Sequence, residues 1–379
     1  MRVMLKCKRM RTILPQSVAI AITGAVNSGK TWQILSLLTA EVDGEPIATP
    51  TLYILAEASA EGTAGEVLLD PSRCCVWPAT DCEEALDAVL ACFPDSGPLT
   101  LGEAKAKAYA YVVKRAASEH RVPPPPPKPS ARDGELLRSI VVDTLSTLYA
   151  GSAITGGRHL KKEAEEKAKR SIGPRAGKKD APWNDPRNLG LYAAKQCGDL
   201  IDRLNGVTQH HRGLILLCTV HTCPAVEIMS GAEGEPPTMM AVGETPNLGA
   251  AKPVKAGLNI PSYSATWNSL AAKMNIIWHC IEDVPNFDRT RREEINSGPG
   301  CIHAVITAKG KNYPNVGTVL WAKRQGGEGP LGIFNELPAY WHQDVPCDPA
   351  IATISSGPSI GAALAYATKV WRAQQQTAA

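Results

Sequence analysis

A chain of 379 residues is long enough for one large domain or two small ones. Hydrophobic residues make up 44% of it and charged residues 20%, which excludes a disordered or fibrous protein. Lysine and arginine number 40 against 37 acids, a net charge of +3, so the whole chain carries no nucleic-acid signal and any such signal is local.

Residues 1–16 form a basic arm with Arg2, Lys6, Lys8, Arg9 and Arg11. A core is expected over 17–345, and a tail with a terminal helix near 359–374 over 346–379. Residues 17–23 (SVAIAIT) are β-branched and apolar and end in glycine, the pattern of a buried parallel strand. A helix follows, with Trp32, Ile34, Leu35, Leu37 and Leu38 at helical spacing. Residues 51–56 (TLYILA) form the next strand, stopping at Glu57. Helices near 81–92 and 102–119 lead to the run Pro123 to Pro127, which sits in an exposed, extended linker over 121–133.

Residues 138–148 (RSIVVDTLSTL) give a third strand and 213–220 (GLILLCTV) a fourth, with a helix near 190–206 between them. Strands near 274–281, 302–308 and 317–323 complete the set, and long loops are expected over 150–188 and 222–262. Strands alternating with helices imply an α/β fold: a mainly parallel sheet covered on both faces, extended by antiparallel strands where the last ones crowd together.

Gly24, Ala25, Val26, Asn27, Ser28, Gly29, Lys30 and Thr31 satisfy GxxxxGK[ST] between a predicted strand and helix, the context that motif requires. Glycines let successive N–H groups face a polyphosphate, and the helix presents its positive end to the same group. Lys30 adds a point charge, and the Thr31 hydroxyl is a ligand for the Mg2+ of bound ATP.

Three further positions sit at the same edge of the sheet. Asp143 closes the apolar run Ile140, Val141, Val142, where it either holds magnesium with Thr31 or caps the following helix, a role open to Thr144 and Ser146 as well. Glu57 ends the second strand as a candidate base for the attacking water, with Glu61 as a rival and a plain surface glutamate as the other reading. His221 follows the fourth strand, either sensing the γ-phosphate or closing the strand with no further role. Zinc held by Cys218, His221 and Cys223 is disfavoured, because a strand turns neighbours to opposite faces.

The ordered set of phosphate loop, glutamate after the second strand, IVVDTLSTL and GLILLCTVH resembles RecA-like recombination ATPases, with the compact phage-encoded single-domain group most similar. The likeness spans about residues 17–325 and includes a late Ala322-Lys323-Arg324. It implies a RecA-like P-loop fold, ATP bound between subunits of a homo-oligomeric ring or filament, and a role for Lys323 and Arg324 at the neighbouring subunit's phosphates. It also implies that loops after the Asp143 and His221 strands line a channel for single-stranded DNA. Residues 156–187 carry ten basic residues against five acids, so Lys161, Lys162, Lys178 and Lys179 are candidate phosphate contacts. The stretch KKEAEEKAKR fits a solvated helix with i,i+4 ion pairs equally well.

Eleven scattered cysteines, an odd number without CxxC spacing, exclude a fully paired disulfide framework and point to a reducing cytoplasm. No apolar run reaches the roughly 20 residues of a membrane span, so no membrane partner is expected.

Overall fold

The computed structural model describes residues 17–24, 30–56, 70, 72–170, 183, 185–229, 238–249, 264–281, 303–306, 360–361, 364–365 and 368. Its strands are β1 (Val18–Gly24), β2 (Glu41–Val42), β3 (Glu45–Pro46), β4 (Thr51–Leu55), β5 (Cys74–Pro78), β6 (Ser139–Asp143), β7 (Ile215–Met229), β8 (Thr238–Pro246), β9 (Ile276–Ile281) and β10 (His303–Ile306). The helices are α1 (Lys30–Leu38), α2 (Cys82–Cys92), α3 (Leu101–Ser118), α4 (Leu145–Arg170), α5 (Pro186–His210) and α6 (Ala265–Lys273).

One sheet runs in the order β10-β9-β1-β7-β6-β4-β5, parallel from β9 through β5, with β10 antiparallel on β9 and β8 antiparallel on β7. Every residue of β1, β4 and β6 is buried, so both faces of the sheet are covered. Alternate strand residues go to opposite faces. Ala19, Ala21, Leu52, Ile54, Ile140 and Val142 join a core with buried residues of α2 to α6. The residues between them face α1, which packs on β1 and β7 through an apolar stripe including Ile34, Leu37 and Leu38.

Ile360 and Gly361 lie against α1. Gln33 accepts a hydrogen bond from the Ile360 amide at 2.9 Å and the Ser36 hydroxyl accepts one from the Gly361 amide. A Cβ at Gly361 would stand 1.9 Å from the Ser36 carbonyl oxygen, so only glycine permits this approach.

Both expected loops prove to be partly regular. Within 150–188, residues up to Arg170 continue α4, and α5 starts at Pro186, capped by Asp185. Glycines inside α4 are packing devices: a Cβ at Gly151 would lie 1.7 Å from the Thr80 carbonyl oxygen, and one at Gly156 2.6 Å from the Tyr192 ring. Within 222–262, β7 runs on to Met229 and pairs with β8 across a register shift between Ala225 and Val226. Pro224 is tolerated there because this extension has β8 on one side alone among the described strands. Strand β5, the short pair β2–β3 and helix α6 are additions to the elements expected from sequence. The expected strand near 317–323 and the basic arm 1–16 lie outside the described residues.

Candidate functional site at the carboxyl edge of the sheet

The parallel strands β1, β7, β6 and β4 direct their carboxyl ends to one edge, where open α/β sheets bind ligands. In register, Gly24 of β1 stands opposite His221 of β7, and Leu55 of β4 opposite Asp143 of β6. Helix α1 begins at Lys30, just beyond β1, so its amino end lies at this edge.

Lys30 is buried, 5% exposed, and its ammonium donates to the Gly24 carbonyl oxygen at 3.1 Å. The bond ties the first residue of the loop motif to its lysine. Thr31, one residue into α1, presents its hydroxyl to Asp143 Oδ2 at 3.4 Å. That spacing is within a few tenths of the roughly 3 Å between adjacent oxygen ligands on an octahedral magnesium ion.

Asp143 is 1% exposed. Its Oδ2 also accepts from the Tyr53 hydroxyl at 2.7 Å, and its Oδ1 accepts from the Thr219 hydroxyl at 2.6 Å. Tyr53 and Thr219 are fully buried, on the strands either side of β6 and on the face that α1 covers. Three hydroxyls from β4, β7 and α1 thus converge on one carboxylate, fixing its plane. The capping role falls to Thr144 instead, whose hydroxyl accepts from the Thr147 amide at 3.2 Å in the first turn of α4.

His221 sits where β7 passes the start of α4. Its amide donates to the Ser146 hydroxyl at 2.9 Å, and its carbonyl accepts from the Asn247 amide at 2.7 Å. Cys218 belongs to the core on the far face, where burial raises its thiol to about 12 and leaves it neutral near pH 7. Among the described residues no group of three or more His, Cys, Asp or Glu is arranged to hold a metal ion. A magnesium ion here would arrive with the phosphates and use Thr31 and Asp143 as hard oxygen donors, a set those two residues fit.

The structure therefore brings together Gly24, Lys30, Thr31, Asp143 and His221. Ala25, Val26, Asn27, Ser28, Gly29, Glu57, Lys178, Lys179, Lys323 and Arg324 lie outside the described residues. Lys161 and Lys162 are exposed on helix α4, not on a loop. Tyr53 and Thr219 escape the sequence reading, although a polar side chain inside the apolar runs TLYIL and LILLCTV is a usable signal.

The architecture defines a mixed α/β protein with a mostly parallel central sheet. A scan against protein-family models and a search of curated proteins give no match. Among the described residues no helix is long and apolar enough to cross a membrane.

Proposed function

We propose that the chain is a RecA-like ATP-binding and ATP-hydrolysing protein that acts on single-stranded DNA. One observation carries this reading: the lysine and threonine of a GxxxxGK[ST] loop open the helix after β1, and that threonine meets a buried aspartate at 3.4 Å. A chance match to the loop pattern has no reason to find a strand-end carboxylate in reach.

In this reading the 24–31 segment binds the triphosphate, with Lys30 neutralising it and the amino end of α1 adding positive potential. Thr31 and Asp143 hold Mg2+, which supplies charge neutralisation on the phosphate oxygens. Glu57, two residues beyond Leu55 of β4, activates the attacking water, and His221 monitors the γ-phosphate from the neighbouring strand end. Lys323 and Arg324 act on the next subunit of a homo-oligomer.

The deciding measurement is the ATPase rate with and without single-stranded DNA, for the wild type and Lys30→Ala. DNA-stimulated turnover that vanishes in Lys30→Ala supports the proposal. Wild-type nucleotide affinity and turnover in Lys30→Ala remove the site assignment.

A second reading, an oligomeric ATPase serving assembly or motor function without touching DNA, is favoured by helix α4. Lys161 and Lys162 there share an exposed helical surface with Glu163, Glu165 and Glu166, and His159 faces Glu163 at 3.8 Å. Such a surface is mixed in sign. Replacing Lys161, Lys162, Lys178 and Lys179 by alanine separates the two readings in a salt series of anisotropy titrations. Each phosphate that the variant no longer neutralises flattens the log–log salt slope by about 0.7; identical slopes, or no DNA binding by the wild type at low salt, favour the second reading.

A further inference from the structure

Residues 121–129, RVPPPPPKP, connect α3 to β6 without helix or strand, and all nine are exposed. Each proline fixes φ near −65° and forces the residue before it out of the helical region, so Pro123 to Pro126 are restricted on both counts and Val122 on the second. Polyproline II is the conformation that satisfies both. It needs no internal hydrogen bonds and loses little entropy on docking, because the backbone has little freedom to lose.

The strap is pinned at each end. The Arg121 amide donates to the Ala116 carbonyl at 2.8 Å and its guanidinium meets Glu119 at 3.2 Å. At the other end, Ser130 donates twice to Asp133, its amide at 3.0 Å and its hydroxyl at 2.8 Å. Asp133 in turn pairs with the buried Lys105 at 2.6 Å. Between these anchors the run stays clear of the body. Arg121, Val122 and Pro124 border a cavity of about 360 Å³ whose other walls include Val112 and Ala116. Val122 nonetheless remains 92% exposed.

With three residues per turn, Arg121, Pro124 and Pro127 share one edge of such a helix. Arg121 and Pro124 on that edge line the cavity, and Val122 on the next edge lines it too while staying 92% exposed. The two remaining edges then carry Val122 with Pro125 and Lys128, and Pro123 with Pro126 and Pro129. They present two apolar–proline pairs, Val122-Pro123 and Pro125-Pro126, followed by the cation of Lys128.

We infer that this strap is a docking site for a partner protein with an aromatic-lined groove and an acidic pocket at one end. The chemistry selects that partner. Five consecutive residues without N–H groups exclude pairing as an added β-strand, whereas flat proline rings stack on aromatic side chains and the free carbonyls accept from tryptophan or tyrosine donors. Lys128, two residues past Pro126, supplies the charge for the acidic pocket. Leu55 and Ala56 at the carboxyl end of β4 also line the cavity, but docking at the strap does not rest on the ATPase proposal.

The test titrates the full-length chain into a purified, isotope-labelled SH3 domain selective for Pro-x-x-Pro-x-Lys ligands, with the domain's shifts mapped by NMR. Saturable shifts confined to the aromatic groove are expected. The Pro123→Ala/Pro126→Ala variant is expected to bind at least about tenfold more weakly, and Lys128→Glu several-fold more weakly. Lys30→Ala binds like the wild type. All the substituted strap residues are exposed, so circular dichroism of each variant separates lost binding from lost fold. No shifts with the wild type, or equal binding by the strap variants, overturn the inference and leave the segment a spacer.

Discussion

The two ends of the same parallel strands are built from similar residues to different purposes. At the amino edge the Thr51 and Ser139 hydroxyls lie 2.7 Å apart and each lies within reach of the Ala48 carbonyl, at 3.1 and 2.8 Å, so two protons serve three contacts. Arg132 holds the Thr49 carbonyl at 2.9 Å and pairs with Glu135 at 2.8 Å, which keeps that carboxyl below the usual range. At the carboxyl edge the hydroxyls of Tyr53 and Thr219 donate at 2.7 and 2.6 Å to the carboxylate of Asp143. Neutral hydroxyls could join the strands at either end at small cost. Burying a carboxylate costs several kcal/mol even when it is paired, so a group retained at that cost is where an ionic ligand is to be sought.

The largest effect expected from this contrast is on Asp143. In Asp143→Asn the side-chain shape persists while the charge is lost, and ATP turnover should fall by about 10²-fold or more. Steady-state kinetics beside a urea unfolding curve decide it: wild-type turnover from a folded Asp143→Asn protein would make the carboxyl edge as structural as the amino edge.

A smaller effect is expected at Tyr53. Tyr53→Phe keeps the buried ring and removes one hydrogen bond to Asp143 Oδ2, worth about 1.5–3 kcal/mol when the acceptor is charged. Because the carboxylate then rotates more freely, the Mg2+ concentration at half-maximal turnover should rise about tenfold, with little change in the nucleotide dependence at saturating Mg2+. Thr219→Val should act in the same direction through Oδ1. An unchanged Mg2+ midpoint in both variants excludes a positioning role.

Much of the α/β framework is legible because each buried strand is a short apolar run closed by a signal. SVAIAIT ends at glycine, and SIVVD ends at a carboxylate. The β5 strand CCVWP is not: it is as short as SIVVD, but its paired cysteines and closing proline carry no comparable strand signal. The glycines of α4 look alike in sequence whether they loosen a chain or admit a neighbour; only the Thr80 and Tyr192 contacts distinguish the two. The Lys30, Thr31 and Asp143 grouping follows from spacing and strand ends. Tyr53 and Thr219 depend on strand order, since they reach Asp143 from β4 and β7, the neighbours that flank β6 in the sheet.

The smallest effect is expected at the amino edge, where it sharpens the contrast from the other side. Ser139→Ala deletes the Thr51 contact and the bond to Ala48, but the Thr51 hydroxyl still donates to the Ala48 carbonyl at 3.1 Å, so no buried acceptor is orphaned there. The cost in urea unfolding should therefore sit near the low end of the usual range for a neutral hydrogen bond, about 0.5–1 kcal/mol. Turnover per folded molecule and the Mg2+ midpoint should both match the wild type. Ser139 and Asp143 open and close the same strand, so any mechanical effect of loosening β6 would reach the carboxylate along it. A Ser139→Ala protein with a shifted Mg2+ midpoint would mean that the two edges are coupled through the strand and that the Tyr53 result reports strand placement, not the orientation of one carboxylate.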